Sequence, residues 1–302
     1  CPNIDRSNYA QISRSILNYK LYQGSEKENS FFDKAMKSLP SVENINIKNP
    51  TKLNKVQSLP DLPNEIVALV HFGRSGTGLL HSLIDGHPEV STLPSIYFSE
   101  YFDYSTWVRI ISDGWNRMID RFIAIYEVLF DASSSIPVEG KSKKLVHDIG
   151  IKEGMANVGK QKNEVLKVDK NLFRIELKRL LGCYDTVDAS IFFKLVHVAY
   201  EKALNSDNSK SLIFYHIHNP DTYAKLNFVR FSPNTKWVIM IREPIQSCES
   251  WIRGAFREKD YFGVVSRIFT MLFEVNNYVY SRQRSIGVRL EDLKIKPKKF
   301  EI

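Results

Sequence analysis

The sequence predicts an α/β fold with a central parallel sheet that is covered by helices on both faces. Three short apolar runs carry this prediction: "EIVALVHF" at 65–72, "SLIFYHIH" at 211–218 and "KWVIMI" at 236–241. Each run is bounded by glycine, proline or polar residues, as a buried strand is. Segments with helical spacing of apolar residues lie between the runs, and strands that alternate with helices favour a parallel sheet.

The N-terminal part predicts helices rather than strands. Apolar residues at helical spacing predict helices at 5–22 and 29–38, and residues 40–64 contain four prolines and read as a connector. We therefore expect residues 1–63 to be a helical segment with its connector and residues 64–302 to be the α/β domain. The chain begins with Cys1-Pro2 and stops after a charged tail, so we expect C-terminal truncation and a missing N-terminal helical domain.

The α/β domain is expected to carry a helical insertion at about 100–205. One apolar face over 106–130 predicts a single long helix. Further helices are predicted at 170–182, 186–204 and 262–281. Another is predicted to start at Pro244, because proline suits the first turn of a helix. Its predicted buried stripe is Ile245, Cys248, Trp251, Ile252, Ala255 and Phe256. The stretch "GVRLEDL" at 287–293 predicts a last strand and turn.

Composition restricts the partners and the compartment. The 302 residues carry a net charge of +8, which favours anionic ligands in general. Cys1, Cys183 and Cys248 fit the spacing of neither a zinc site nor a disulfide framework, and no apolar run is long enough to span a membrane. We expect a cytoplasmic protein without a membrane span, and the motifs below indicate a nucleotide rather than a nucleic acid.

The glycine turn after the first predicted strand, "GRSGTG" at 73–78, has the composition of an anion site. The amides at the start of the following helix have no partner within that helix, and the helix dipole adds partial positive charge. Glycines permit positive φ and close approach, and an arginine and two hydroxyls add donors. The alternative is a tight turn without a ligand. The predicted binding residues are Gly73, Arg74, Ser75, Gly76, Thr77, Gly78 and Leu79.

Two common nucleotide motifs fit this turn poorly. An ATP or GTP loop places a lysine directly after its last glycine, where this chain has Leu79. A dinucleotide fold has the order G-x-G-x-x-G, followed by a second strand and an acidic residue. Here the order is G-x-x-G-x-G, and the region after the helix does not read as that strand.

The stretch "FGRSGTGLLHSLIDGHPEV" at 72–90 resembles the 5′-phosphosulfate loop of sulfotransferases that use 3′-phosphoadenosine 5′-phosphosulfate (PAPS). The arginine and the following "HPEV" are most similar to the tyrosylprotein and bacterial branches. The chain departs from the family pattern at Gly78, where threonine or serine is usual. The resemblance implies a P-loop-like three-layer fold, with PAPS as the donor and no metal.

A second stretch, "WVIMIREPIQSCES", resembles the family's 3′-phosphate motif. Arg242 follows the strand and Ser250 lies eight residues later, and the resemblance implies that both hold the 3′ phosphate. "VRLEDLKIKP" is similar to a third family segment, so the resemblance covers about 64–297. It implies sulfuryl transfer to a hydroxyl or amine of an unidentified acceptor, which leaves glycan, lipid, peptide and small molecule open.

The resemblance also suggests the catalytic groups. Arg74 would stabilise the bridging oxygen of the donor. Tyrosylprotein sulfotransferases carry a glutamate where this chain has Ser95, whereas cytosolic ones place a histidine as in "FYHIHNP". His218 therefore becomes the predicted base, since imidazole titrates near neutral pH. His216 and Glu100 stay as alternatives for the base. The alternative functions are a P-loop phosphoryl-transfer enzyme similar to a nucleotide kinase, and a catalytically degenerate PAPS-binding protein.

Overall fold

The computed structural model describes most of the chain. The described residues are 6–22, 25–40, 42, 45–51, 58–71, 74–93, 98, 101–134, 155, 157–204, 210–218, 222–253, 261–275, 277, 279–280 and 285–296.

Eleven α-helices and seven strands lie within the described residues. The helices are α1 (Arg6–Leu21), α2 (Glu28–Ser38), α3 (Thr77–Ile84), α4 (Tyr104–Ile111), α5 (Met118–Ile125), α6 (Lys170–Leu181), α7 (Ala189–Ala203), α8 (Thr222–Phe231), α9 (Pro244–Arg253), α10 (Tyr261–Val275) and α11 (Leu290–Ile295). The strands are β1 (Ile47–Lys48), β2 (Glu65–His71), β3 (Val90–Thr92), β4 (Thr186–Val187), β5 (Leu212–His218), β6 (Lys236–Ile241) and β7 (Ser285–Arg289).

Five strands form one sheet in the order β3-β5-β2-β6-β7. The pairs β3–β5, β2–β6 and β6–β7 are parallel. The predicted α/β class is thus confirmed, and the arrangement is consistent with three layers. In chain order β2 is the first of these five strands, and its neighbours in the sheet are the third and fourth, β5 and β6. A dinucleotide-binding fold instead places its second strand beside its first.

Chain contacts divide the molecule into two compact units. The first unit comprises 1–40, 67–83 and 216–302, and the second comprises 41–66 and 84–215. In the first unit the N-terminal helices are tied to later elements: the Tyr19 hydroxyl donates to Asn277 Oδ1, and Arg230 donates to the Met36 carbonyl. Lys225, which is 1% exposed, pairs with Glu274 of α10. The predicted boundary at residue 63 stays a prediction.

The second unit has a core of aromatic side chains. Phe98 stacks on Phe193 with ring centres 5.4 Å apart and meets Phe122 edge to face. Tyr101 and Trp107 are fully buried, and their polar atoms donate to the carbonyls of Ala189 and Ile45, respectively. Phe98, Tyr101, Phe102 and Trp107 are buried and therefore serve packing.

Two sequence expectations about elements are wrong. The long helix expected at 106–130 is interrupted, because Gly114 has a φ of 81° that no α-helix accommodates. Two α-helices and two 3₁₀ turns replace it. Ile245 is 66% exposed and does not belong to the buried stripe of α9, although Cys248 and Trp251 do. The region after α3 contains a short strand, β3, but it lies beside β5 and not beside β2, so it is not the second strand of a dinucleotide fold, as expected.

Within the described ranges, no helix combines the length and the apolar character that crossing a membrane requires.

Candidate functional site

The turn after β2 and the residue after β6 lie side by side at the carboxyl edge of the sheet. β2 and β6 are paired in parallel, with His71 opposite Met240, so both strands end at nearly the same level. From β2 the chain continues to β3 on one side of the sheet and later returns to β6 on the other. Ligands of open α/β sheets bind in the crevice that such a reversal leaves beyond the strand ends.

The loop turns into α3 through two residues with positive φ. Arg74 has a φ of 65° and Gly76 has a φ of 89°. The amides of Leu79 and Leu80 donate to the Gly76 carbonyl at 3.0 and 3.3 Å. The first amides of the helix have no partner inside it and remain available to a ligand. The left-handed arginine was not predicted from the sequence, where positive φ was assigned to the glycines alone.

The two hydroxyl residues of the loop face inward. Ser75 is 3% exposed and Thr77 is 2% exposed. The Ser75 Oγ atom has no hydrogen-bond partner among the described residues. Burying a hydroxyl without a partner costs free energy, so this atom is a donor that a bound anion would satisfy.

Arg242 joins the second motif to the loop. Its Nη1 atom donates to the Arg74 carbonyl at 3.4 Å. Its Nε atom is buried, and no described residue accepts a hydrogen bond from it. Ser250 is partly buried in α9, the helix that starts two residues after Arg242. The structure thus brings the loop and Arg242 together, as the sequence predicted from their positions at strand ends.

The corner between β7 and α11 contacts both motifs. A Cβ atom at Gly76 would lie 2.3 Å from Leu290 Cδ1, so Leu290 packs directly against the loop. Glu291 Oε1 accepts a hydrogen bond from the amide of Glu243 at 3.2 Å, which fixes the backbone immediately after Arg242. From the sequence this segment was recognised only by its resemblance, since its contacts depend on tertiary structure.

The histidines of β5 are described in part. His216 is 5% exposed, and its ring centre lies 5.9 Å from that of His81 in α3. His216 is therefore packed beneath α3, which makes it a poor candidate for the base. Gly73, Ser95, Glu100 and the side chain of His218 lie outside the described residues, and the assignment of His218 stays a prediction.

Gly76 and Gly78 should respond differently to substitution by alanine. Gly76→Ala forces a side chain into a left-handed φ and against Leu290, and we expect a loss of about 1–3 kcal/mol in the free energy of unfolding. Gly78 lies in α3, and a methyl group added there would meet no other atom within 4 Å, so Gly78→Ala should fold as the parent does. Urea denaturation measures both. Equal loss of stability in the two variants would contradict the packing of Leu290 against the loop.

A separate polar cluster lies in the second unit. Ser91 Oγ is 2.9 Å from Nδ1 of His197, which is 1% exposed. Burial lowers the pKa of His197 to about 3, and burial raises the pKa of Glu201. His197 is therefore neutral over the physiological pH range and serves as a hydrogen-bonded core residue.

Among the described residues, no group of three or more histidine, cysteine, aspartate or glutamate side chains could hold a metal ion. A scan against models of known protein families matches none of them, and a search of curated proteins finds no similar sequence.

Proposed function

We propose that the chain transfers a sulfuryl group from PAPS to a hydroxyl or amine of an acceptor. The observation that carries the proposal is the meeting of the two motifs: the Arg242 guanidinium donates to the carbonyl of Arg74 in the loop. A nucleotide with phosphates on both its 5′ and 3′ oxygens needs two anion sites a ribose apart. The loop and Arg242 supply two such sites at one edge of the sheet.

Each group then has a role in an in-line displacement. The acceptor oxygen forms a bond to sulfur while the bond between sulfur and the bridging oxygen breaks. Adenosine 3′,5′-bisphosphate leaves, and the acceptor proton passes to the base, His218 in this proposal. Arg74 and the amides at the start of α3 stabilise the charge that develops on the bridging oxygen, while Ser75 and Thr77 hold the 5′ phosphate.

Two buried donors fit a polyanionic ligand. Ser75 Oγ and Arg242 Nε have no partner among the described residues, and both would gain one from phosphate oxygens. Hydrogen bonds to charged acceptors are the stronger ones. These donors would fit other phosphate ligands too, but the phosphoryl-transfer alternative lacks the lysine that reaches the β and γ phosphates, since Leu79 occupies its position.

The alternative of a degenerate PAPS-binding protein rests on Gly78, which lacks the hydroxyl usual in the family pattern. Such a protein would have the same binding site as the proposed enzyme and would differ from it only in having no turnover. Release of bisphosphate from PAPS in the presence of acceptor separates the two.

Cys183 and Cys248 are free thiols, and a reducing compartment, the cytoplasm, forms part of the proposal.

Ligand choice tests the proposal. Adenosine 3′,5′-bisphosphate should bind more tightly than AMP, and Arg242→Ala should weaken its binding roughly 10- to 100-fold, because a charged donor to the 3′ phosphate is lost. Calorimetry with bisphosphate, AMP and magnesium ATP measures this preference.

Arg253→Ala is the matched control, since it removes the same charge from the far end of α9, where the side chain is 81% exposed. Its bisphosphate affinity should equal that of the parent. Equal affinity of the parent for bisphosphate and AMP would remove the assignment of Arg242 and Ser250, and preference for magnesium ATP would favour the phosphoryl-transfer alternative.

A further inference from the structure

One side of α10 exposes a row of apolar side chains to solvent. Phe262 is 79% exposed, Phe269 is 56% exposed and Leu272 is 41% exposed, and Val265 lies half-buried among them. These four residues, which we call the α10 seam, are spaced three, four and three positions apart. On an α-helix they fall within about 80° of one another around the axis and form a stripe about 15 Å long.

A neighbouring side of α10 is anchored in the first unit. Val264 and Ile268 are buried in a cluster with Cys248 and Trp251 of α9. This packing fixes the rotation of α10 about its own axis. The seam therefore stays at the surface, because the residues that pack against α9 lie on a different face of the helix.

The apolar patch extends beyond the seam. Ile245 of α9, which is 66% exposed, lies one turn before Cys248, on the face of α9 that packs against α10. A large aromatic side chain carries about 150–250 Å² of surface, so the seam and Ile245 together expose roughly 400–500 Å² of apolar side chain. Contiguous apolar patches of this size generally mark interaction sites.

The spacing of the seam favours a helix as the partner. Apolar residues that alternate three and four positions apart are the pattern along which two helices pack side by side. The side chains of such a ridge fit into the grooves between the side chains of a second helix.

The charges of α10 disfavour a membrane or a charged peptide as the partner. Residues 261–275 include only two charged residues, Arg267 and Glu274, and Glu274 is paired with Lys225. A helix that lies on an anionic membrane is rich in lysine and arginine along its polar face, and a charged peptide is recognised by opposite charges. The helix supplies neither feature.

We infer that the α10 seam is a self-association surface, at which α10 of one copy packs against α10 of a second copy of this chain. The second copy presents the same apolar spacing, and a twofold axis forms each contact twice. A standard interface buries about 800 Å² on each partner. The patch supplies about half of that area, so we expect a dimer with a dissociation constant in the micromolar range. The inference goes beyond the proposed function and does not depend on it.

Sedimentation equilibrium on the full chain tests the inference over about 1–100 μM, a range that brackets such a dissociation constant. We expect the mean mass to rise with concentration from 34.9 kDa toward twice that value. The double variant Phe262→Ser/Phe269→Ser should weaken association at least about 100-fold, because both copies lose two phenyl rings from the interface. The variant Phe262→Leu/Phe269→Leu keeps apolar side chains at both positions and should still dimerise.

Ile175→Ser is the matched control. Ile175 is likewise apolar and 63% exposed, but it belongs to α6 in the second unit, so its substitution should leave association unchanged. All the substituted positions are exposed, so the variants should fold, and thermal melts verify this. If the double variant melts earlier than the parent, Phe262→Ser alone, at the more exposed position, takes its place.

Four results would overturn the inference. They are a parent that stays monomeric at the highest concentration, a parent that grows beyond twice its mass, equal association of parent and double variant, and equal loss of association in Ile175→Ser. Sedimentation with anionic lipid vesicles tests the membrane as the other partner. If a monomeric parent binds the vesicles and the double variant does not, the seam belongs to a membrane contact instead.

Discussion

Arg74→Ala is expected to slow the release of sulfate from PAPS by roughly two to three orders of magnitude, the usual effect of removing one preorganised donor from a developing oxyanion. The Arg74 side chain is exposed in the turn that leads into α3. Its guanidinium is the strongest cation of the loop, and we expect it to act on the bridging oxygen as that oxygen gains charge. Hydrolysis of PAPS followed by chromatography measures the rate without a known acceptor.

Substitution by glycine separates the charge of Arg74 from its backbone conformation. With a φ of 65°, the arginine is held in the left-handed region at a cost of about 1–2 kcal/mol. Arg74→Gly should therefore be more stable than Arg74→Ala by about 1 kcal/mol and equally slow. Arg74→Lys keeps the charge but loses the planar fork, so an intermediate rate is expected. An unchanged rate in Arg74→Ala would show that this arginine takes no part in transfer.

The strained arginine explains why the loop could be predicted from sequence only in part. Three glycines, two hydroxyls and an arginine between a strand and a helix indicate an anion site, because each residue type has a physical reason to be there. Which residue takes the left-handed conformation depends on tertiary packing. Leu290 lies against Gly76, more than two hundred positions along the chain, and no local pattern reports that contact.

In the fold, too, local patterns were predictable from the sequence, whereas features without a local pattern were not. β2, β5 and β6 are buried strands with continuous apolar runs, and their bounds agree with the prediction to within one residue at each end. β1, β3 and β4 have two or three residues each, and so short a strand carries no recognisable periodicity. The break in the helix expected at 106–130 lies at Gly114, whose positive φ is a property that apolar spacing does not encode.

The position of Arg242 was predictable for a simple reason. A residue that directly follows a parallel strand must lie at the carboxyl edge of the sheet, and the strand order then decides its neighbour. The pairing of β6 with β2 makes that neighbour the glycine loop.

The remaining large effect concerns the base. His218→Ala is expected to lower turnover about 10²- to 10⁴-fold, the range typical of losing a general base. Two observations motivate the choice: the histidine two residues before Pro220 at the end of β5, and Ser95 in place of the carboxylate of the tyrosylprotein branch. His216, the nearest alternative on the same strand, is buried with its ring 5.9 Å from that of His81 and is therefore less accessible to an acceptor.

The experiment compares His218→Ala with Glu100→Gln, which keeps the shape of the side chain and removes only its basicity. Sulfation of a panel of hydroxyl and amine compounds is the assay, and bisphosphate affinity is the folding control for both variants. A neutral imidazole must accept the proton, so the parent should lose activity toward acid pH as the base becomes protonated, and His218→Ala should lack that acid limb. An active His218→Ala beside an inactive Glu100→Gln would transfer the role to the carboxylate. Because the acid limb would then move toward the pH at which a glutamate titrates, the profile identifies the base independently of the rate.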